Sequence, residues 1–394
     1  MSNFKRTGWS RSVGALILYG VLGVATFLVC MTDFSPVTYS RQGVVGTSTV
    51  VVTDPKEVAL PSGPTPLDIV EYDRRLLALS GYIPPEPVVA TTTRPDGTIA
   101  TTTKVISDLR YASTTNVTVK GKLWPPSAPY PNSGAILPFA RILAYYGNLY
   151  STRMGILGEL PSPEMLAKLQ RTVDLWNTAD PATPVLPAIE YIAIVAQESA
   201  GADGMYRAVM PDTEIDKAYA LAQEANGIFI LDLQVGKSTI QKELPQFKHY
   251  LERPDVHLAI DPEFSMKTGK LPGTVVGTYD ATDINYVIEF LATIVRENHL
   301  PPKVLVVHRF TQNMVTNATL IKPRPEVQFV MHMDGWGSKE RKRGTYNHIL
   351  VPEPVQFMGI KIFYKNDLKS PSTGILTPEE VLTLNPKPIY IQYQ

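Results

Sequence analysis

Two carboxyl groups follow an apolar run in the segment His257–Phe264, which reads HLAIDPEF. Successive side chains of a β-strand point to opposite faces, so Asp261 and Glu263 are predicted to share one face. Two carboxyl groups on one face at a strand exit suit acid/base catalysis or metal binding, and they also occur in polar loops. The placement of the other polar side chains along the chain decides between these readings.

Similar polar groups end several other apolar runs. Phasing each run by its alternation keeps one face apolar and collects polar groups on the other, near the carboxyl end of the run. The groups collected in this way are Gln197, Asp232, Gln234, His308, His332, Asp334 and Gln392. Burying several charged groups without a role is costly, so this pattern indicates a functional cleft.

Eight short β-rich runs carry these residues, and helical or long loop segments separate them. The runs are 141–147, 189–197, 227–234, 256–264, 303–310, 326–334, 357–364 and 388–393. The best helical segments are 163–177, 212–226, 238–252 and 281–298. Eight strands with helical crossovers predict a closed (β/α)8 TIM barrel, an α/β fold whose active site lies at the carboxyl ends of the strands. An open doubly wound sheet is the alternative, but no glycine-rich phosphate loop follows the first strand.

Aromatic residues and long loops fall at the same predicted end of the barrel. Residues 199–211 follow the second strand and 265–280 follow the fourth, and long loops of this kind usually carry function. Tyr145 and Tyr206 lie at strand exits, and Trp336 is flanked by two glycines directly after Asp334. An exposed aromatic face beside carboxylates and amides suits a sugar ring.

These residues favour glycoside hydrolysis, which requires a proton-donating carboxyl group and a second carboxylate across a cleft. We predict Glu263 as the acid, with Asp334 or Asp232 as its partner and Asp261 orienting or charge-tuning Glu263. The residues predicted to bind the carbohydrate are Gln197, Gln234, His308, His332, Trp336, Tyr145, Tyr206 and Gln392. This chemistry needs no cofactor and no metal.

The N-terminal third of the chain has a different composition. Residues 1–12 are basic, and residues 13–31 form a nineteen-residue run without charge, long enough to cross a ~30 Å hydrocarbon core. The flanking charges predict a single-pass cell-membrane anchor with a cytoplasmic N-terminus and an extracytoplasmic body. A cleaved signal peptide is the alternative, although no small-x-small site follows the run.

Residues 32–134 read as an extracytoplasmic Pro/Thr-rich linker, or stalk, before a barrel domain at 135–394. A helix is predicted at 65–81 and a hairpin at 88–105. Because the chain stops after the eighth strand, the helix at 65–81 is expected to cover the place of a missing eighth helix. Deleting residues 60–84 should then destabilise the barrel.

Charge and cysteine content exclude some classes of protein. The 394 residues contain 37 basic and 37 acidic side chains, which is not the basic footprint of a nucleic-acid-binding protein. The single cysteine, Cys30, rules out an internal disulfide framework and a site built on several thiolates.

Residues 137–394 also resemble a family of uncharacterised bacterial envelope proteins, secreted or lipid-anchored, that are similar to glycoside-hydrolase-like TIM barrels. The segments that carry the resemblance are RILAYYGN, VAQESAGADGMYRAVMP, LDLQVGKST, VHLAIDPEFSM, VLVVHRFT and MHMDGWG. The resemblance implies an envelope location and a barrel fold but assigns no activity. The chain departs from lipid-anchored relatives because bulky Val29 precedes Cys30, which makes a poor lipobox.

Two other functions stay open at this point. Asp232, Asp261, Glu263, His308, His332 and Asp334 could hold one or two divalent ions of a metal-dependent hydrolase, although no spaced motif such as HExxH is present. A non-catalytic barrel that binds wall glycan or presents a structural surface is the other alternative. The partner expected for the favoured function is a carbohydrate or cell-wall glycan.

Overall fold

The computed structural model describes residues 64–81, 88–93, 99–104, 117–119 and 122–394. Eight parallel strands close into a barrel, because the last strand pairs with the first as well as with the seventh. The barrel strands are β1 (Arg141–Gly147), β2 (Val185–Ala196), β3 (Ile228–Leu233), β4 (Val256–Ile260), β5 (Lys303–Arg309), β6 (Val327–Met333), β7 (Phe357–Ile362) and β8 (Tyr390–Tyr393). The predicted (β/α)8 fold is confirmed.

The strands are buried on both faces, as the near-continuous apolar runs require in a parallel barrel. Every residue of β5 and β6 is buried. Their register pairs Val306 with Val330 and His308 with His332, so the even-numbered residues of both strands share one face. The alternation predicted for these two strands is therefore confirmed.

Helices cover the outside of the barrel and lie close to their predicted positions. The helices within residues 135–394 are α2 (Ile156–Glu159), α3 (Ser162–Ala179), α4 (Asp212–Glu224), α5 (Ile240–Glu243), α6 (Lys248–Leu251), α7 (Ala281–Asn298), α8 (Lys339–Thr345) and α9 (Pro378–Val381). The predicted helix at 238–252 is divided into α5, a 3-10 turn at Leu244–Phe247, and α6. Pro245 explains the division, because proline lacks an N–H and clashes with the preceding turn.

The chain that precedes β1 closes the amino-terminal end of the barrel. Gln328, near the start of β6, accepts hydrogen bonds from the backbone N–H groups of Ile136 (2.8 Å) and Leu137 (3.1 Å). The same side-chain amide donates to the carbonyl of Leu137 (2.6 Å). This buried glutamine therefore holds Ile136 and Leu137 across the amino-terminal end of the barrel. The carboxyl end is the open end.

The N-terminal helix α1 (Ile69–Ala78) also lies at the closed end. Arg75 donates to the carbonyls of Phe139 (3.0 Å), before β1, and Ala182 (3.3 Å), before β2. The carbonyl of Leu79 accepts from the backbone N–H of Lys387, before β8. All three partners precede strands, so α1 packs across the bottom of the barrel. Two of these partners precede β1 and β8, the strands on either side of the missing eighth helix, so the expectation that α1 covers that gap stays a prediction.

Short strands outside the eight of the barrel form smaller antiparallel pairings. Strands Val88–Thr93 and Ile99–Lys104 pair antiparallel, which confirms the predicted hairpin. Strands Val117–Val119 and Lys122–Trp124 form a second antiparallel pair. In the loop after β2, Arg207–Val209 folds back antiparallel on β2.

Among the described residues, no helix combines the length and apolarity needed to cross a membrane. The predicted anchor at 13–31, like residues 1–12, lies outside the described residues.

Candidate active site

The carboxyl ends of the strands surround a cavity of about 480 Å³. Of the residues predicted from the sequence, those that line it are Gln234, Asp261, Glu263, Asp334 and Trp336. Tyr146 and Lys361 line it as well. The cavity occupies the end of the barrel where TIM-barrel enzymes carry their active sites.

Glu263 reaches the cavity from a tight turn after β4. The chain leaves the strand at Ile260 and forms a 3-10 turn over Pro262–Phe264. The Asp261 carboxylate caps this turn by accepting from the backbone N–H of Glu263 (2.9 Å). Burial, followed by the nearby charge of Asp334, raises the pKa of Glu263 to about 7, against the opposing effects of Lys361 and His308. Glu263 can therefore hold a proton near neutral pH.

Asp334, directly after β6, has the opposite ionisation preference. Its Oδ1 lies 3.1 Å from Nζ of Lys361 on β7, and its Oδ2 lies 2.8 Å from Nδ1 of His308 on β5. Burial opposes the negative charge, but Lys361 and His308 outweigh burial and lower the pKa of Asp334. Asp334 is the ionised carboxylate of the cavity.

His308 joins Asp334 to a second carboxylate deeper in the barrel. Its Nε2 lies 3.4 Å from Oε1 of Glu190, a fully buried residue of β2. The other oxygen of Glu190 accepts from the Tyr390 hydroxyl and the Gln392 amide. Burial lowers the pKa of His308, but Asp334, Glu190 and Asp232 together raise it well above its ordinary value. The imidazole is a buried cation between carboxylates.

Gln234 and Tyr146 form a polar wall beside Asp261. The Gln234 amide donates to the Tyr146 hydroxyl (3.2 Å) and lies 3.5 Å from Oδ2 of Asp261. Its Oε1 accepts from the backbone N–H of Ala196 (3.1 Å). Burial raises the pKa of Asp261 well above its ordinary value, and neighbouring Glu263 and Asp232 add to the shift although His308 opposes it.

Trp336 is the exposed aromatic residue at the mouth, with 44 % of its surface accessible. The Arg341 guanidinium lies 5.4 Å from its ring centroid, and the Lys369 ammonium lies 5.1 Å from it. Gly337 has a φ of +142° that L side chains rarely adopt, and a Cβ there would come within 2.7 Å of the Arg341 side chain. A glycine is thus required beside the tryptophan.

A buried ion pair holds the loop that carries Trp336. Lys342 lies 3.0 Å from the Asp367 carboxylate and donates to the carbonyl of Gly335 (2.9 Å). Asp367 accepts in turn from the backbone N–H of Gly337 (2.9 Å). The glycines on both sides of Trp336 are therefore tied to one buried pair, which fixes the loop against the barrel.

Four predicted site residues lie below the cavity instead of lining it. Asp232, His308, His332 and Gln392 have no exposed surface. The ring of His332 packs between those of His308 and Tyr390, with centroid distances of 5.1 and 4.9 Å. The prediction that the two histidines and Gln392 contact sugar hydroxyls is corrected, because they occupy a deeper layer of the barrel. The same depth separates Asp232 from a substrate.

Tyr145 lies on the outer face of β1. Its hydroxyl is hydrogen-bonded to Thr172 of α3 (2.8 Å) and to Tyr364 (2.9 Å). Because successive strand residues face opposite sides, the neighbouring residue Tyr146 is the one that lines the cavity. The predicted role of Tyr145 in binding the carbohydrate is therefore wrong, because the cavity residue is the next one along the strand.

Gln197 and Tyr206 lie in the loop after β2, away from the cavity lining. The Gln197 backbone N–H donates to the carbonyl of Tyr206 (2.9 Å), and the Tyr206 ring packs 4.1 Å from Nζ of Lys237. Strand β2 ends at Ala196, one residue before Gln197. The strand alternation that predicted an inward-facing Gln197 therefore does not extend to this residue. The predicted contacts of both residues with substrate are corrected.

Glu190 and Lys361 were missed by the sequence analysis. A register shift between Ile192 and Ile194 reverses the inward and outward alternation of β2. Glu190, which precedes the shift, therefore faces inward, although the alternation read from the end of the strand predicts that it faces outward. A signal for both residues was present: each is a lone charge inside a run that is apolar on both faces, where an interior partner is required.

Three interior side chains could hold a metal ion. One ligand atom from each of Glu190, Asp232 and His308 lies within 4.8 Å of the other two, and all three residues are fully buried. Burial raises the pKa of Asp232 to about 6, with Glu190 adding to the shift and His308 opposing it.

No protein-family model and no curated protein sequence matches this chain. Among solved structures, the chain is similar to a GH5-4 broad specificity endoglucanase from an uncultured bacterium. The identity is 8 % and the TM-score is 0.29, over 56 % of this chain and 76 % of the endoglucanase. Values this low carry no argument about activity, so the function must be argued from the cavity itself.

Proposed function

We propose that the protein is a glycoside hydrolase that uses Glu263 as the proton donor and Asp334 as the second carboxylate. The observation that carries this proposal is a pair of carboxyl groups lining one cavity with opposite pKa shifts, upward for Glu263 and downward for Asp334. Environments that separate two carboxyl groups in this way assign the acid and base roles of glycosidases.

In the proposed reaction, Glu263 transfers its proton to the glycosidic oxygen as the bond from that oxygen to the anomeric carbon breaks. Asp334 then either bonds to the anomeric carbon or removes a proton from the attacking water. A separation of about 5 Å between the carboxyl groups gives retention, and roughly 6.5–9.5 Å gives inversion. Lys361 and His308 keep Asp334 ionised for either role.

The mouth of the cavity suits a carbohydrate. Trp336 offers an exposed flat apolar surface, and Gln234 and Tyr146 offer polar groups in the wall. Arg153 and Arg341 also line the cavity and are exposed, and guanidinium groups pair well with carboxylates. The assay panel should therefore include glycans with uronic acids beside neutral ones.

The test compares wild-type protein with Glu263→Gln and Asp334→Asn on a panel of wall and extracellular glycans. We expect each substitution to lower turnover roughly 10²–10⁴-fold, because each removes a group acting in the transition state. Glu164→Gln, an exposed carboxyl change on α3, serves as the control and should keep full activity.

Binding without turnover would give a different answer. If the wild type hydrolyses none of the glycans but binds one of them, and both cavity variants bind it equally well, the catalytic proposal fails. The non-catalytic glycan-binding alternative would then be favoured.

We further propose that the barrel works outside the cytoplasm, held to the cell membrane by residues 13–31. The length and charge flanks of that segment support this location. The resemblance to bacterial envelope proteins points the same way and makes a cell-wall glycan the expected partner.

A further inference from the structure

Beneath the cavity, three strands direct potential metal ligands to one point. Glu190 comes from β2, Asp232 from β3 and His308 from β5, and the ligand atoms lie within 4.8 Å of one another. None of the three residues has exposed surface. The group is separate from Glu263, which approaches the cavity from the turn above β4.

Four atoms of this group face one another without a hydrogen bond of ordinary geometry among the described residues, and two of them, Nε2 of His308 and Oε1 of Glu190, form an ion pair at 3.4 Å. The four atoms are both carboxylate oxygens of Asp232, Oε1 of Glu190 and Nε2 of His308. The Tyr146 hydroxyl lies near enough to lower the pKa of Asp232, but it makes no hydrogen bond of ordinary geometry with it. Buried polar atoms in native proteins are almost always satisfied, so the two oxygens of Asp232 that lack a hydrogen bond beside this ion pair indicate something bound between the three side chains.

Two of these side chains, His308 and Glu190, have a second polar atom that faces away from the group and is already hydrogen-bonded. Nδ1 of His308 is bonded to Asp334 (2.8 Å), which leaves Nε2 directed at Glu190 and Asp232. The second oxygen of Glu190 accepts from Tyr390 and Gln392. Metal-binding histidines usually bond their other ring nitrogen to a carboxylate in this way, which fixes the tautomer and the ring orientation.

We propose that Glu190, Asp232 and His308 bind one zinc ion inside the barrel. Two carboxylates and one imidazole form a donor set that zinc accepts, and three protein ligands leave a further position for water. Binding displaces the proton from Nε2 of His308, and Nδ1–H continues to donate to Asp334. The divalent charge offsets the carboxylates that share this interior with Lys361.

The zinc site has a structural consequence for the cavity. His308 joins the zinc position to Asp334, so the ion fixes the imidazole that orients a cavity carboxylate. Because the ligands are closed to solvent, the ion enters as the chain folds. The site stands independently of glycoside hydrolysis, since it is defined by ligands that no substrate contacts.

The experiment measures the zinc content of full-length protein from cells grown with added zinc chloride, and of the same protein refolded with zinc chloride. We expect about one zinc per chain in the wild type and less than about a tenth of that in Asp232→Asn. Glu243→Gln is the matched control. Glu243 is a buried carboxylate paired with Arg207 (2.7 Å), outside the zinc group, and this variant should keep its zinc.

Zinc X-ray absorption of the wild type tests the ligands even where Asp232→Asn does not fold. We expect oxygen and nitrogen ligands at roughly 2.0–2.2 Å, with an imidazole signature and no sulfur. Wild-type protein free of zinc after both treatments overturns the proposal. So does a sulfur ligand, which would trace the zinc to Cys30, or an Asp232→Asn variant that retains its zinc.

Discussion

At the scale of residues, Glu263 and Asp334 differ because their partners differ. Glu263 is half-buried beside another carboxylate, whereas Asp334 lies between a lysine and a buried imidazole. A carboxyl group near like charge in an apolar setting keeps its proton, and one between cations loses it. Two identical functional groups therefore acquire different chemistry within one cavity.

The first prediction at this scale concerns pH. Glu263 must hold a proton to act as the acid, and its pKa is raised to about 7. The active form is therefore present below that pH and is lost as the pH rises through it. We expect kcat/KM to fall across neutral pH, measured as a full pH profile on a hydrolysed glycan. A profile that stays level well above neutral pH would exclude Glu263 as the acid.

The second prediction concerns Lys361→Met. This substitution removes a buried cation 3.1 Å from Asp334 and should lower kcat roughly 100-fold. Because Lys361 also holds down the pKa of Glu263, the alkaline limb of the pH profile should move to higher pH. Lys365→Met, at an exposed lysine paired with Glu159 (2.8 Å), is the control and should change neither quantity. A fall in kcat with an unmoved limb would contradict this electrostatic role.

At the scale of elements, the local sequence did not predict where the N-terminal helix packs or how the side chains of β2 are oriented. A threonine cap, a proline in the first turn and a terminal glycine predict a helix at 65–81, but only packing shows that α1 lies across the closed end of the barrel. The Trp124 indole donates to the carbonyl of Leu76 (2.8 Å), which ties the chain before β1 to that helix. Helix α1 is thus part of the folded unit.

The prediction for α1 compares two positions on the same helix. Leu76 is 3 % exposed and Val70 is 48 % exposed. Leu76→Ala should lower the free energy of unfolding by about 3 kcal/mol through lost burial and a residual cavity. Val70→Ala should change it by less than about 0.5 kcal/mol. Denaturant unfolding measures both, and deletion of residues 60–84 should destabilise the barrel further. Equal, small effects of the two substitutions would place α1 outside the cooperative unit.

At the scale of the whole molecule, the barrel has a closed end and an open end with different tasks. Gln328 and α1 secure the end where the strands begin, and the cavity lies where they finish. The proposed anchor precedes the closed end in sequence, at residues 13–31. TIM barrels generally have residues that stabilise the fold at the amino-terminal ends of the strands and residues that carry the chemistry at the carboxyl ends.

The prediction at this scale is membrane attachment. Full-length protein should sediment with the membrane fraction and require detergent for release, because residues 13–31 are long and apolar enough to span the bilayer. A variant without residues 1–31 should stay in the supernatant. N-terminal sequencing of the mature protein is the check: a chain that begins after the apolar run shows a cleaved signal peptide instead.

The sequence by itself determined the eight strands, most of the helices and the end of the barrel that carries polar groups. These features follow from local periodicity, since alternation of two and of 3.6 residues is set by the backbone of each element. For the same reason Gln234 and Asp334 could be identified as residues of one cavity, whereas Asp261 and Glu263 reach it from a turn that begins where β4 ends, and Trp336 was identified by its flanking glycines.

Only the tertiary structure decided three things: how deep each polar side chain lies in the barrel, which way the residues of β2 face near its register shift, and which carboxyl groups are ionised. Alternation separates inside from outside, but it does not say whether a residue such as Asp232 or His332 lies at the mouth or one layer below. The bulge in β2 reversed the phase of Glu190. The ionisation of Asp334 depends on a lysine from the neighbouring strand, and such contacts form only when the barrel closes.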